Sequence, residues 1–161
     1  MEYVYWGIVV FLFALSTFDL SVGVSNDAVN FLSSAIGSKA ARFKVILTVA
    51  AAGVLVGAVT SSGMMDIARH GIFRPEQFYF EELMCVFLAV VASDVILLDI
   101  FNTMGMPTST TVSMVFELLG GSTALALVKM MHNPSLTYAE LINTDKALSV
   151  ILAIFLSVAI A

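Results

Sequence analysis

From Val45 to Met65 the chain runs for 21 residues without a single charged side chain. At ~1.5 Å of rise per residue a helix of that length reaches about 31 Å, the thickness of a bilayer's hydrocarbon core. The pattern is not confined to that stretch, because Met1 to Phe18 carries Glu2 as its only charge. Over all 161 residues the composition is 60% hydrophobic and 12% charged, against about 25% charge in an ordinary soluble domain. With a mean hydropathy of +1.00, the chain reads as all-α, a polytopic helical membrane protein. The net charge of −5 and pI near 4.7 leave no basic patch for a phosphate backbone, which argues against nucleic acid as a partner. Cys85 is the single cysteine, so it has no intrachain disulfide partner.

Five apolar segments follow one another: Tyr3 to Leu20, Val45 to Met65, Leu83 to Phe101, Val112 to Val128 and Ala147 to Ala161. The first lacks a basic leader and a small-residue cleavage site, so it is expected to be a retained span rather than a signal peptide. Lys39, Arg42 and Lys44 crowd one gap, while Arg69 and Arg74 share theirs with Asp66, Glu76, Glu81 and Glu82. By the basic-loop bias the Lys39 loop faces the cytoplasm and the N-terminus faces outside. Ala147 to Ala161 is 15 residues, short of the ~20 that a span requires. The expectation is a single membrane domain over 1–161 that forms the N-terminal repeat of a longer transporter, its last helix 147–161 cut short. A short interfacial or buried helix is the alternative.

Between the first two spans lies a polar element, Asp19 to Asn30, followed by Phe31 to Ser38. Gly23 is free to open a break in the backbone, and Ser25, Asn26 and Asp27 are helix-capping residue types, so a broken helix is expected around Gly23 to Ser25. From there Asn26, Asn30, Ser33 or Ser34, and Gly37 fall on one helical face. An ordinary juxtamembrane cap accounts for Ser25 and Asn26 but not for Asn30 in the following turn.

A second cluster, Asn102 to Thr111, precedes the fourth span. Pro107 lacks an N–H and biases Met106 away from helix, so one helix is expected to end here and another to begin among the hydroxyl residues. A helix start offers free N–H groups and a partial positive charge, and adjacent hydroxyls add donors, which suits an anion. A Ser/Thr-rich cap is the plain alternative, although four hydroxyls in a row (Thr108 to Thr111) exceed what one cap requires. Gly120-Gly121 then interrupts the apolar run, as a re-entrant hairpin of two half-helices would, and transporters place substrates at such interruptions.

The third feature is a set of acids inside apolar segments with no Lys or Arg in the same runs: Asp19, Asp27, Asp94, Asp99 and Glu117. A buried carboxylate costs several kcal/mol unless it is paired, protonated or coordinating a cation. A cation or a proton is therefore the natural complement, unless Asp94 and Asp99 are simply solvated near an interface or Glu117 pairs with a distant base. Asp99, Asn102 and Thr103 are spaced to present several oxygens to one small ion. Gly53 and Gly57 form a GxxxG spacing that permits close helix packing. His70 and His132 read as surface residues. Without a nucleophile elbow, a P-loop or a dinucleotide glycine pattern, the chain is not read as an enzyme and needs no cofactor beyond a coupling ion. An anion site beside carboxylates that demand cations describes a cation-coupled anion symporter.

At these residues the chain resembles the inorganic phosphate transporter family, the PiT type of sodium- or proton-coupled symporters. That family carries Gly-Ala-Asn-Asp-x-x-Asn near its start and Gly-x-Pro-Val-Ser-Thr-Thr-His further on. Asn26, Asp27 and Asn30 match the first element; Gly105, Pro107, Ser109, Thr110 and Thr111 match the second. Val24, Ser25, Thr108 and Val112 depart from the pattern, and with Val112 in place of histidine no histidine-based proton step is implied. The resemblance implies an inverted-repeat transporter of which this chain supplies one repeat, and therefore half of a binding site. It further implies that Ser109, Thr110, Thr111 and Asp27 bind phosphate, and that Asn26, Asp27 and Asn30 coordinate the coupling cation, with sodium a candidate at Asn26 and Asn30. Asp99 is a further cation candidate. The implied partners are inorganic phosphate, sodium or a proton, the bilayer and the second repeat, with a homodimer left open; the implied location is the plasma (inner) membrane. Two other readings stand beside this one: a channel or structural membrane subunit, and a carrier of another tetrahedral oxyanion such as sulfate or arsenate.

Overall fold

The computed structural model describes residues 2–62, 71–106 and 108–160. Among them the elements are helical: α1 (Glu2–Gly37), α2 (Phe43–Thr60), a 3₁₀ turn (Pro75–Gln77), α3 (Phe80–Thr103), α4 (Thr110–His132), α5 (Tyr138–Leu141) and α6 (Thr144–Ile160). Four of these, α1 to α4, are long and apolar enough to cross a membrane. Their outward faces carry large apolar side chains such as Trp6, Phe13, Val49, Leu55, Ile96 and Phe116. A face of that kind is stable against lipid tails and unstable against water. The chain is an integral, multi-pass membrane protein.

The ends of the helices follow from local chemistry. α1 stops in a Schellman motif, with Lys39 in the left-handed region (φ 54) and its N–H donating to Ile36 O, while Ala40 N–H donates to Ala35 O. α3 stops in the same way at Gly105 (φ +68), where Gly105 N–H reaches Asn102 O and Met106 N–H reaches Phe101 O. A residue with a Cβ is strained at that φ, so the glycine of the second motif is a helix stop. The expected separation of two helices between Asn102 and Thr111 is thus present, and α4 begins at Thr110. Pro107, the signal from which that separation was inferred, lies outside the described residues, as do Asp66, Arg69 and His70.

Two expected interruptions are absent. α1 is one helix of 36 residues that passes through Gly23 to Ser25 without a break. The hydroxyls of Ser21 and Ser25 donate back to the carbonyls of Thr17 and Ser21, four residues earlier, and so do not act as caps. α4 likewise continues through Gly120-Gly121 as one helix of 23 residues, so it is not a pair of half-helices. A Cβ on Gly121 would sit 3.4 Å from Val86 Cγ1 and 3.7 Å from Val90 Cγ2. The glycine there serves close packing of α4 on α3.

The chain divides into two compact units, one of Met1–Gly63 with Asp94–Thr110 and the other of Met64–Ser93 with Thr111–Ala161. The second unit has an apolar core of Ile72, Phe73, Phe78, Val86, Val90, Val115, Leu118, Ala126, Leu141 and Ile142. Its loop is tied to α5 by a short antiparallel bridge between Phe73 and Ile142. Lys129 Nζ donates to Gln77 O at 2.8 Å and to Glu82 Oε2 at 2.7 Å, and it lies 5.0 Å and 5.1 Å from the ring centres of Phe78 and Tyr79. The Glu140 carboxylate accepts the Thr137 N–H at the start of α5, which holds it below the usual carboxylate range. His132 is exposed, with Nδ1 2.9 Å from Val128 O, in keeping with a surface residue.

Candidate binding site

The first unit is organised differently, around a polar seam along α1. Asp19, Gly23, Asn26 and Asn30 recur at spacings of four, three and four residues, which brings them onto one helical face. Against that face lie residues from 94–110. Gly23 leaves room for Leu98 and Thr110, whose side-chain carbons would stand 3.9 Å and 3.8 Å from a Cβ at that position. Asn102 Nδ2 donates to Val22 O at 3.5 Å. Asp19 faces Asp94, and the Asp19 Oδ1 atom is shielded from solvent without a hydrogen-bond partner among the described residues.

The centre of the seam is Asn26, which is 0% exposed. Its Nδ2 donates to Thr108 O at 2.5 Å, and its Oδ1 accepts the Thr108 N–H at 3.0 Å. One side-chain amide is thus paired at two points with one main-chain peptide 82 residues further along. Asn30 Nδ2 reaches the same Thr108 carbonyl at 3.4 Å from an exposed position. Asp27 is half-buried, and its Oδ1 lies 3.5 Å from Asn26 Nδ2. The fold therefore brings together five sequence-predicted residues of this unit: Asn26, Asp27 and Asn30 on α1, with Ser109 and Thr110 following directly on the clamped Thr108 peptide.

Other candidates fall elsewhere. Asp99 is exposed, whereas Asn102 is half-buried and donates to Val22 O on α1. Thr111 begins the other unit, in which Ser113 Oγ donates to Glu117 Oε1 at 3.0 Å. Two contributions escaped sequence reasoning: Thr108, which acts through its peptide, and Gly105, which ends α3. The second had a signal, since a glycine shortly before a proline is a common helix stop. The first had none, because any residue carries the same peptide.

The Asn26 and Asn30 amides on the Thr108 peptide, with Asp27 beside Asn26, form a polar cluster among apolar helices. Residues 23–161 match the model of the phosphate transporter family, and the chain belongs to that family. The match includes both motif elements. Comparison with curated proteins and with solved structures gave no match.

Proposed function

We propose that the chain forms one repeat of a cation-coupled symporter for inorganic phosphate. Ser109, Thr110 and Thr111, with the N–H groups at the start of α4, take the phosphate oxygens. Asp27, Asn30 and Asp99 offer oxygens to the coupling cation, sodium or a proton. The observation that carries this reading is the placement of Ser109 and Thr110 immediately after the peptide that Asn26 clamps, one residue from Asp27. A phosphate dianion and a carboxylate repel at close range, so they share a site only with cations between them, and that requirement couples the two fluxes. Asp19, whose Oδ1 is shielded from solvent without a hydrogen-bond partner among the described residues, makes the same demand for a cation or proton. A second carboxylate–amide cluster and hydroxyl run from the family's other repeat would complete the site.

The test is uptake of radiolabelled phosphate by the intact transporter in vesicles, under imposed sodium or pH gradients and with sulfate and arsenate as competitors. Saturable uptake that follows one cation gradient is expected. Uptake that is non-saturable and indifferent to both gradients would favour a channel, and stronger inhibition by sulfate than by unlabelled phosphate would reassign the substrate.

A further inference from the structure

We infer that Asn26 is a positioning residue that holds the Ser109–Thr110 segment through the Thr108 peptide, and that it is not a ligand of the coupling cation, as motif similarity alone would imply. The inference rests on reading that segment as the phosphate site. A side-chain amide offers two N–H donors and two oxygen lone pairs. On Asn26 the amide nitrogen serves Thr108 O at 2.5 Å and Asp27 Oδ1 at 3.5 Å, and the oxygen accepts Thr108 N–H at 3.0 Å. The orientation of the amide is settled by its partner, because a peptide N–H only donates and must therefore face the oxygen.

A hard cation held at Asn26 would need that same oxygen. The Thr108 N–H already points its positive end at it, and a cation placed there would meet like partial charge. Asn26 is also 0% exposed, whereas Asp27 is half-buried and Asn30 is exposed. Burial this complete, with hydrogen bonds on both sides of the amide, suits a part that fixes distance. Asn26 stands next to Asp27 on α1, and Thr108 stands next to Ser109. The clamp thereby sets the spacing between the carboxylate proposed for the cation and the hydroxyls proposed for the anion.

Asn26→Asp separates the two roles. The variant keeps size and one oxygen acceptor but sets a second carboxylate oxygen against the Thr108 carbonyl, which breaks the two-point pairing. For a cation site the same change adds a charged oxygen and would strengthen binding. In the intact transporter, uptake should show a half-saturating phosphate concentration raised at least tenfold, with the half-saturating concentration of the coupling cation unchanged. Hydrogen exchange at the Thr108 amide should accelerate at least tenfold. Asn30→Ala, which removes the 3.4 Å contact together with an oxygen proposed for the cation, should raise the half-saturating concentration of the cation while accelerating Thr108 exchange less than Asn26→Asp does. A cation affinity that shifts in Asn26→Asp while phosphate affinity stays put overturns the inference. In the unaltered protein the Thr108 amide should exchange more slowly than an unprotected loop peptide; exchange at the unprotected rate overturns the clamp whether or not Asn26→Asp folds. Absence of phosphate uptake by the unaltered protein would instead overturn the phosphate reading, and Thr108 exchange would still decide the clamp.

Discussion

The two units solve the packing of membrane helices by opposite means. In the first, α1 meets residues 94–110 through amides, a carboxyl pair and a main-chain peptide, with Leu98 as the apolar side chain buried among them. In the second, Phe73, Val86, Val90, Val115 and Leu118 pack as a conventional apolar core, and the charged pair Lys129–Glu82 sits where helices meet loop. An apolar core needs only shape and volume. A polar seam inside a bilayer is costly wherever a partner is missing, and it is worth building where a polar solute must be held. On the proposed reading, recognition falls to the first unit and scaffolding to the second.

The largest effect should come from Asp27→Asn in the intact transporter. The change preserves size and removes the charge that balances the cation, so cation-coupled phosphate uptake is expected to vanish while membrane insertion is retained. Unchanged uptake with the same dependence on sodium and pH would break the assignment of recognition to the first unit.

The second unit should respond in stability instead. Gly121→Leu forces a side chain against Val86 and Val90, and overpacking of that kind costs about 1–3 kcal/mol. Gly120→Leu, where a Cβ meets nothing within 4 Å, should cost far less. Thermal unfolding of both variants in detergent checks the pair, and equal shifts would show that Gly121 is not a packing glycine. Lys129→Met removes a charged partner from Glu82 and from Gln77 O. A hydrogen bond to a charged group is worth about 1.5–3 kcal/mol, and partial exposure to solvent places this one at the lower end. A lowered unfolding midpoint with unchanged phosphate half-saturation is expected, and altered half-saturation would carry recognition into the second unit.

The smallest effect belongs to Glu140. Its folded-state pKa is depressed by the Thr137 N–H, so the contact stabilises α5 above the carboxyl's unfolded pKa and is lost as pH falls through the folded value. Amide exchange over residues 137–142 should rise on acidification in the unaltered protein, and Glu140→Gln should flatten that dependence. A pH response that Glu140→Gln leaves intact would assign it to another group.

Much of the architecture follows directly from composition. The runs Val45 to Met65 and Leu83 to Phe101 announced α2 and α3, and the hydroxyl cluster announced the start of α4 at Thr110. Glycines were harder, since the same residue opens a break, ends a helix or admits a neighbour. Gly23 and Gly121 admit neighbours, Gly105 ends α3, and only the tertiary partners Leu98, Val86 and Val90 distinguish these uses. Serines carry a similar ambiguity: Ser25 was read as a cap, yet its hydroxyl turns back onto Ser21 O. Asn26 was singled out by its spacing, but its partner was not, because a bond to the peptide 82 residues away leaves no trace in side-chain pattern.

The hydroxyl run at the start of α4 bears the central claim, and phosphate half-saturation of uptake in Ser109→Ala, Thr110→Val and Thr111→Val tests it most directly. Loss of one hydrogen bond to a charged oxygen, worth roughly 1.5–3 kcal/mol, corresponds to a rise of roughly 10- to 150-fold in half-saturating phosphate. The account predicts a rise in that range for at least Thr110→Val, with Lys129→Met unchanged beside it. Three near-unaltered values would place the anion elsewhere and contradict the account.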